Sequence, residues 1–489
     1  MANNLKQKTI SGFVYKMLER IGAQGVNFIV SIVLARILLP EEYGVIALVT
    51  VLITILDVFV TYGFGNSLVA NKDSDDIDFS TCFYFGIVLA IVVYFVVFFG
   101  APFIANFYNN EILIPIIRVM GLRIPIAAIN SVQHAYVSKH MMFRKFFIST
   151  SIGTVLSGVI AIIMAYKRFG VWALVEQYLG NVVCYTVCLS IIVGWRPIWA
   201  FSFKRLKKIY DYGWKILVVG LLDTGYNQLR SLVIAKKYTS SDLAFYNKGN
   251  QFPQLGMSVI EPTVNGVLFP ALSQCNDNQI EMRGMTRRII MLSTYIVFPI
   301  MIGLMAVAKP LVAVLLTEKW LPCVIYLQIG CLSYMFRPLQ FINNSVIKAS
   351  GRSGLLLKLD ILKKGIGIAL LLVSMNYGVV GIAISLVITN IISTIINITP
   401  NRKILNYGYS AQFWDIAKSG ILAVIMGILV YSISFIPLRP VFTLCMQVIL
   451  GVAFYLIASK LSHNESFVYL IEMLKKLKNR KSTVTLGGK

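Results

Sequence analysis

The sequence predicts an all-α polytopic membrane protein of about fourteen spanning helices, built as two related six-helix bundles plus a C-terminal helix pair. Three observations carry this prediction. The 489 residues are 57% hydrophobic and 13% charged, with mean hydropathy +0.74, whereas soluble domains carry about twice that share of charge. About fourteen apolar segments reach bilayer-crossing length. The first of them also recurs: at a shift of 200 residues, Gly25, Asn27, Ser31, Val33 and Ala35 meet Gly225, Asn227, Ser231, Val233 and Ala235, and Glu42 meets Asp242.

In chain order the predicted spans are 12–37, 44–69, 79–105, 111–136, 147–167 and 170–194, then 212–236, 246–272, 286–308, 320–346, 355–375 and 378–399, and last 413–436 and 439–460. Pro102, Ala105, Glu111 and Pro115 find counterparts in Pro310, Ala313, Glu318 and Pro322, which extends the repeat. The predicted organisation is an N-terminal six-helix bundle (1–194), a basic cytoplasmic linker (195–211), a second bundle (212–400), two further spans (401–460) and a basic tail (461–489). FSFKRLKKIYDYG (201–213) reads either as a helix lying on the membrane surface or as a solvated loop. In the tail, Phe467, Leu470, Leu474 and Leu477 match helical spacing, so 465–478 reads as an interfacial helix.

Loop charge sets the expected orientation. With both termini inside, one face collects Lys139, Arg144, Lys145, Lys204, Arg205, Lys207, Lys208 and most other basic loop residues. The excess over the opposite face is roughly three to one, so that face is predicted to be cytoplasmic. The net charge of +24 is then a consequence of topology and not a nucleic-acid signal. One loop, KDSDDIDFS (72–80), runs against the trend.

The seven cysteines show no CxxC and no ligand spacing with histidine, so no metal site or cofactor is expected. Extramembrane segments are short, leaving no room for a soluble catalytic domain, and the chain is not expected to be an enzyme.

The chemistry lies in charges within apolar segments, each costly in hydrocarbon. Gly12–Arg36 holds Lys16, Glu19 and Arg20. Lys16, Lys215 and Glu176 sit close enough to helix ends to snorkel. Arg20, Arg118, Arg123, Arg230 and Arg337 lie deeper, as do Asp57, Asp223 and Glu261. Arg123, Asn130 and His134 share one face of the fourth span, and Asp223, Asn227 and Arg230 one face of the seventh. Two readings stand: these faces line a cavity, or the charges form structural salt bridges. In the first, the forked guanidinium donors suit phosphate oxygens, and the five arginines are the candidate substrate contacts. Asp57, Asp223 and Glu261 are the candidates for coupling to Na+ or H+, since desolvation favours the neutral carboxyl. The span 251–273 holds Pro253, Pro262 and Pro270, a pattern fitting either a bending helix or the ordinary proline content of spanning helices.

The run ARILLPEEYGVIAL (35–48), with GFGNSLV (63–69) and AFYNKGNQFPQLG (244–256), resembles the Wzx-type polysaccharide flippases, particularly their WzxC-like branch, within the multidrug/oligosaccharidyl-lipid/polysaccharide exporter superfamily. The resemblance covers residues 8 to 460. It implies a flippase of the bacterial cytoplasmic (inner) membrane that moves undecaprenyl-diphosphate-linked oligosaccharide for lipopolysaccharide, capsule or exopolysaccharide synthesis. The implied mechanism is alternating access with a cationic cavity. Membrane lipids, a polysaccharide polymerase and chain-length machinery are the implied partners, and nucleic acid is not. The competing readings are a cation-coupled multidrug exporter of the same superfamily, disfavoured by the arginine excess, and a membrane-embedded polymerase, disfavoured by the short loops.

Overall fold

The computed structural model describes Gly22 and residues 24–62, 64–70, 74–275 and 278–472. Their regular structure is helical: α1 (Gln24–Ile37), α2 (Pro40–Thr61), α3 (Phe64–Ala70), α4 (Asp76–Tyr108), α5 (Leu113–Gly121), α6 (Arg123–Lys139), α7 (Phe143–Tyr166), α8 (Val171–Val193), α9 (Phe203–Lys237), α10 (Ser240–Gln274), α11 (Gln279–Ala306), α12 (Ala308–Leu316), α13 (Cys323–Met335), α14 (Arg337–Ala349), α15 (Ser353–Ser374), α16 (Gly378–Ile404), α17 (Tyr409–Ser432) and α18 (Pro440–Leu461). Apart from short breaks and end residues, each predicted span falls on helix where it is described. Among the described residues, ten helical segments are long and apolar enough to cross a membrane on their own. The other predicted spans fall on α1, whose start lies outside the described residues, on α9 and α15, which carry several charges, and on the interrupted pair α13–α14.

Local chemistry sets the boundaries. Pro40 opens α2 with its φ already helical, and Glu42 Oε2 accepts the Leu39 N–H at 2.7 Å. The repeat preserves this cap: Asp242 Oδ2 accepts the Thr239 N–H at 3.1 Å ahead of α10. Capping thus accounts for the acid found at position 42 and again at 242. The fourth span of each half is broken in two. Pro125 and Pro338 lack the N–H that would bond the carbonyls of Gly121 and Tyr334, and α5 gives way to α6 at Leu122 as α13 gives way to α14 at Phe336. In contrast, α10 continues as one helix through its three prolines.

By contacts the chain divides into two units, Met1–Asn247 and Lys248–Lys489, with the division inside α10. In the first unit, α7 pairs with α8, α2 packs on α9, and α6 is surrounded by α2, α3, α4 and α8. At one end a core of Leu68, Phe79, Val132, Phe146, Trp195, Leu206 and Ile209 ties α3, α4, α6, α7 and α9 together. In the second unit, α11 packs on α17 and α16 lies against α13, α14 and α15. A buried amide cluster joins three of these helices: Asn343 Nδ2 donates to Gln412 Oε1 at 3.0 Å, and Asn401 Nδ2 donates to Asn343 Oδ1 at 2.6 Å. Arg287 on α11 pairs with Asp415 on α17 at 2.8 Å, so the C-terminal helices are anchored within this unit. Residues 465–472 are helical, and the expected continuation to 478 lies outside the described residues.

The basic segment 203–211 forms the opening turns of α9, continuous with the spanning part. Leu206 and Ile209 are buried, while Lys204, Lys207 and Lys208 face outward. This segment also explains the acidic loop. Arg205 Nη1 pairs with Asp75 Oδ1 and, at 3.3 Å, with Asp78 Oδ1. Trp195 Nε1 donates to Asp76 Oδ1 at 3.2 Å, and Ser80 Oγ accepts the Ile198 N–H at 3.0 Å. The carboxylates at the start of α4 therefore latch the chain that leaves α8.

That latch carries a pH dependence. The Arg205 guanidinium hydrogen-bonded to Asp75 holds its carboxyl below the usual carboxylate range. A folded-state pKa that is depressed gives stabilisation present above the unfolded value of about 3.9 and lost as pH falls through the folded one. Hydrogen-exchange protection factors across 195–205 are expected to be high at neutral pH and to fall below about pH 4. In an Asp75→Asn/Asp78→Asn variant the protection factors should be low and flat across that range. An unchanged pH profile in the variant would show that other groups hold the segment.

Candidate functional site

The sequence-derived candidates separate into distinct places. Arg20 lies outside the described residues, as do Lys16 and Glu19. Arg118, on α5, is turned to α4: its Nε donates to the Phe98 carbonyl at 3.3 Å and its guanidinium lies 4.4 Å from the Phe98 ring centroid. On α9, Arg230 is buried, 5.9 Å from the Tyr226 ring centroid, while Asp223 is exposed.

The remaining four form two pairs, one in each unit. Arg123, the first residue of α6, places Nε 3.1 Å from Asp57 Oδ2 on α2. Arg337, the first residue of α14, places Nη2 3.1 Å from Glu261 Oε2 on α10. In both halves an arginine just past the break of the fourth span meets a carboxylate from the second. The match continues at a shift of 214 (123 to 337, 130 to 344): NSVQHA (130–135) stands where NSVIKA (344–349) stands. Ser345 donates to Asn265 Oδ1 at 3.2 Å, and Ser131 Oγ lies against Gly65, whose position at a shift of 200 is Asn265. Among the described residues, Asn130 Oδ1 and Asn344 Oδ1 are both buried without a hydrogen-bond partner.

In the first unit these groups line a cavity of about 470 Å3, a size usual for small-molecule sites. Asp57 and Thr61 of α2, Gly65 and Val69 of α3, Arg123, Asn130, Ser131 and His134 of α6, and Tyr185 of α8 form its wall. Asn130 Nδ2 donates to Thr186 Oγ1 at 2.6 Å, and that hydroxyl donates onward to the Val182 carbonyl at 2.6 Å. The chain of donors fixes the amide, so its oxygen is the unpaired atom. Asp57 Oδ1 is likewise buried, with no hydrogen-bond partner among the described residues. The Tyr185 hydroxyl is hydrogen-bonded to His134 Nε2. The face shared by Arg123, Asn130 and His134 was readable from helical spacing. Tyr185 and the partnership with Asp57 were not, because nothing local marks which helices meet. Among the described residues no group of three or more His, Cys, Asp or Glu side chains is placed to hold a metal ion.

The chain shares its fold with solved lipid II flippase and multidrug transporter structures. The chain superposes on a lipid II flippase MurJ in an inward closed conformation with TM-score 0.75 and 14% identity, covering 93% of this chain and 99% of that one. An inward-facing multidrug resistance MATE transporter aligns with TM-score 0.64 and 14% identity, over 81% of this chain and 98% of that one. The chain belongs to the polysaccharide biosynthesis protein family, whose model matches residues 33–325. It is 24% identical over 402 residues to the lipopolysaccharide biosynthesis protein WzxC of Escherichia coli K12, covering 81% of each. It is 25% identical over 321 residues, 65% of each chain, to the succinoglycan biosynthesis transport protein ExoT of Rhizobium meliloti. It is also 22% identical to the teichuronic acid biosynthesis protein TuaB of Bacillus subtilis, over 76% of this chain and 78% of that one.

Proposed function

We propose that the protein is a flippase that carries an undecaprenyl-diphosphate-linked oligosaccharide across the bacterial cytoplasmic membrane during surface polysaccharide assembly. The observation that carries this reading is the joint one: relatives named for making three different surface polymers, on a fold shared over nearly the whole chain with a lipid II flippase. What differs among those products is the sugar, so a common carrier lipid is the economical shared substrate. Both termini are cytoplasmic in this reading, the two repeat halves (1–194 and 212–400) alternate access, and H+ or Na+ drives them through Asp57, Asp223 or Glu261. Arg20, Arg118, Arg230 and Arg337 supply positive charge for the diphosphate, with Arg337 already sharing its charge with Glu261, whereas the fifth candidate, Arg123, is neutralised by Asp57. That sharing weakens the case for an exporter of cationic drugs, because Asp57 and Glu261 do not stand as free anions.

The test is a deletion in cells that assemble the polymer and hold no second flippase. Lipid-linked repeat units are expected to accumulate on the cytoplasmic side, and surface polymer is expected to fall below detection. Normal surface polymer, or a drug-sensitivity change with no glycan change, would overturn the assignment.

A further inference from the structure

We infer that the cavity in the first unit is a saccharide subsite: it receives a sugar of the cargo's glycan, while the diphosphate binds elsewhere. The inference rests on the flippase reading above and sharpens it.

Charge comes first. Among the described residues that line the cavity, Arg123 is the one fixed cation and Asp57 the one fixed anion, held 3.1 Å apart. The pair sums to zero, so a diphosphate entering here would meet a carboxylate as well as a guanidinium. The unpaired atoms point the same way. Asp57 Oδ1 and Asn130 Oδ1 are acceptors, and Asn130 is 8% exposed with its donor side already committed to Thr186. Acceptors repel phosphate oxygens and accept hydroxyl protons. An orphaned buried acceptor is costly to leave unmade, so a ligand that donates to it gains selectively.

The wall also offers donors. The Ser131 hydroxyl lies beside Gly65, and Arg123 is bonded to Asp57 through Nε alone among the contacts the structure gives it. Neighbouring donors and acceptors match vicinal hydroxyls, each of which donates and accepts. The Tyr185 and His134 rings, with centroids 5.6 Å apart, add flat apolar surface for the C–H face of a pyranose. An apolar cation would leave the acceptors unpaired, and a prenyl chain would leave every polar group unpaired. A neutral polyol satisfies all of them.

The test uses the full-length protein in lipid nanodiscs and two probes: the lipid-linked oligosaccharide extracted from deletion cells, and undecaprenyl diphosphate bearing no sugar. Asn130→Ala is expected to weaken binding of the sugar-bearing probe by about tenfold or more and to leave binding of the bare diphosphate lipid within about twofold. Ser131→Ala, which removes a donor without opening the Thr186 contact, is expected to act in the same direction and guards against misfolding of the first variant. Equal loss for both probes, or no loss for either, in both variants would overturn the saccharide assignment while leaving the flippase reading intact. Failure of the wild-type protein to bind either probe would instead strike at the flippase reading.

Discussion

Gly44→Val is expected to abolish accumulation of the protein in the membrane, and Gly44→Ala to reduce it severely. A Cβ placed on Gly44 would lie 1.8 Å from the Ser240 carbonyl oxygen and 2.4 Å from its carbon. Both atoms are backbone, so no rotamer change relieves the overlap, and the start of α10 would have to leave α2. The overlap with fixed backbone places the cost at the severe end of single substitutions, about 4 kcal/mol or more. Gly86→Ala in α4 is the opposite control: nothing lies within 4 Å of its Cβ position, and a helical Gly→Ala change is worth about 0.5–1 kcal/mol in favour of the fold. Thermal unfolding of detergent-solubilised protein, followed by size-exclusion fluorescence, separates the two. Equal behaviour of Gly44→Ala and Gly86→Ala would show that α2 and α10 do not approach as described.

Gly44 belongs to the PEEYG run that marks the family resemblance, and its place in the structure gives that run a physical reading. Pro40 and Glu42 start the helix, and Gly44 lets a second helix start against it. Such features are legible because they are local. Spans, caps and the 200-residue repeat all follow from hydrophobicity, hydrogen-bond chemistry and offset within the chain. The features that stayed hidden are those in which a residue depends on a distant partner. The loop 72–80 looks like an exception to the charge rule until Arg205, 130 residues from Asp75, is placed on it. The Asn-Ser-Val repeat was present in the letters, yet its offset is 214, so a comparison held at 200 passes over it. The basic segment at 203–211 left two readings open because its amphipathic pattern suits a membrane surface as well as a protein one. Burial of Leu206 and Ile209 in the core shared with α3 and α4 supplies the missing face.

The ion pair at the break of the fourth span has the larger functional consequence. Asp57 and Arg123 are partly buried, with side-chain exposures of 13% and 28%. Removing one partner leaves the other charged in an apolar unit, which costs about 3–5 kcal/mol for fully buried pairs and less here because water reaches the arginine. Arg123→Ala is therefore expected to lower stability by about 2–3 kcal/mol, and Asp57→Ala by a similar amount. The double change Asp57→Asn/Arg123→Gln removes both charges while keeping hydrogen-bonding shape. It should recover most of that stability, giving a coupling energy of about 1–3 kcal/mol in a double-mutant cycle. Function should part company with stability at this point. If the pair only holds α2 to α6, the neutral double variant will restore surface polymer along with the thermal midpoint. If the cavity works through its charges, as a saccharide site with a guanidinium donor requires, the midpoint will return while surface polymer remains at least about tenfold reduced. Charge reversal, Asp57→Arg/Arg123→Asp, adds the second arm: it restores the attraction but moves the cation from the break of α6 to α2. Recovery of polymer by the reversed pair would show that the attraction alone matters. Recovery of the fold without polymer would place the arginine at the start of α6 because its cation is needed beside Asn130.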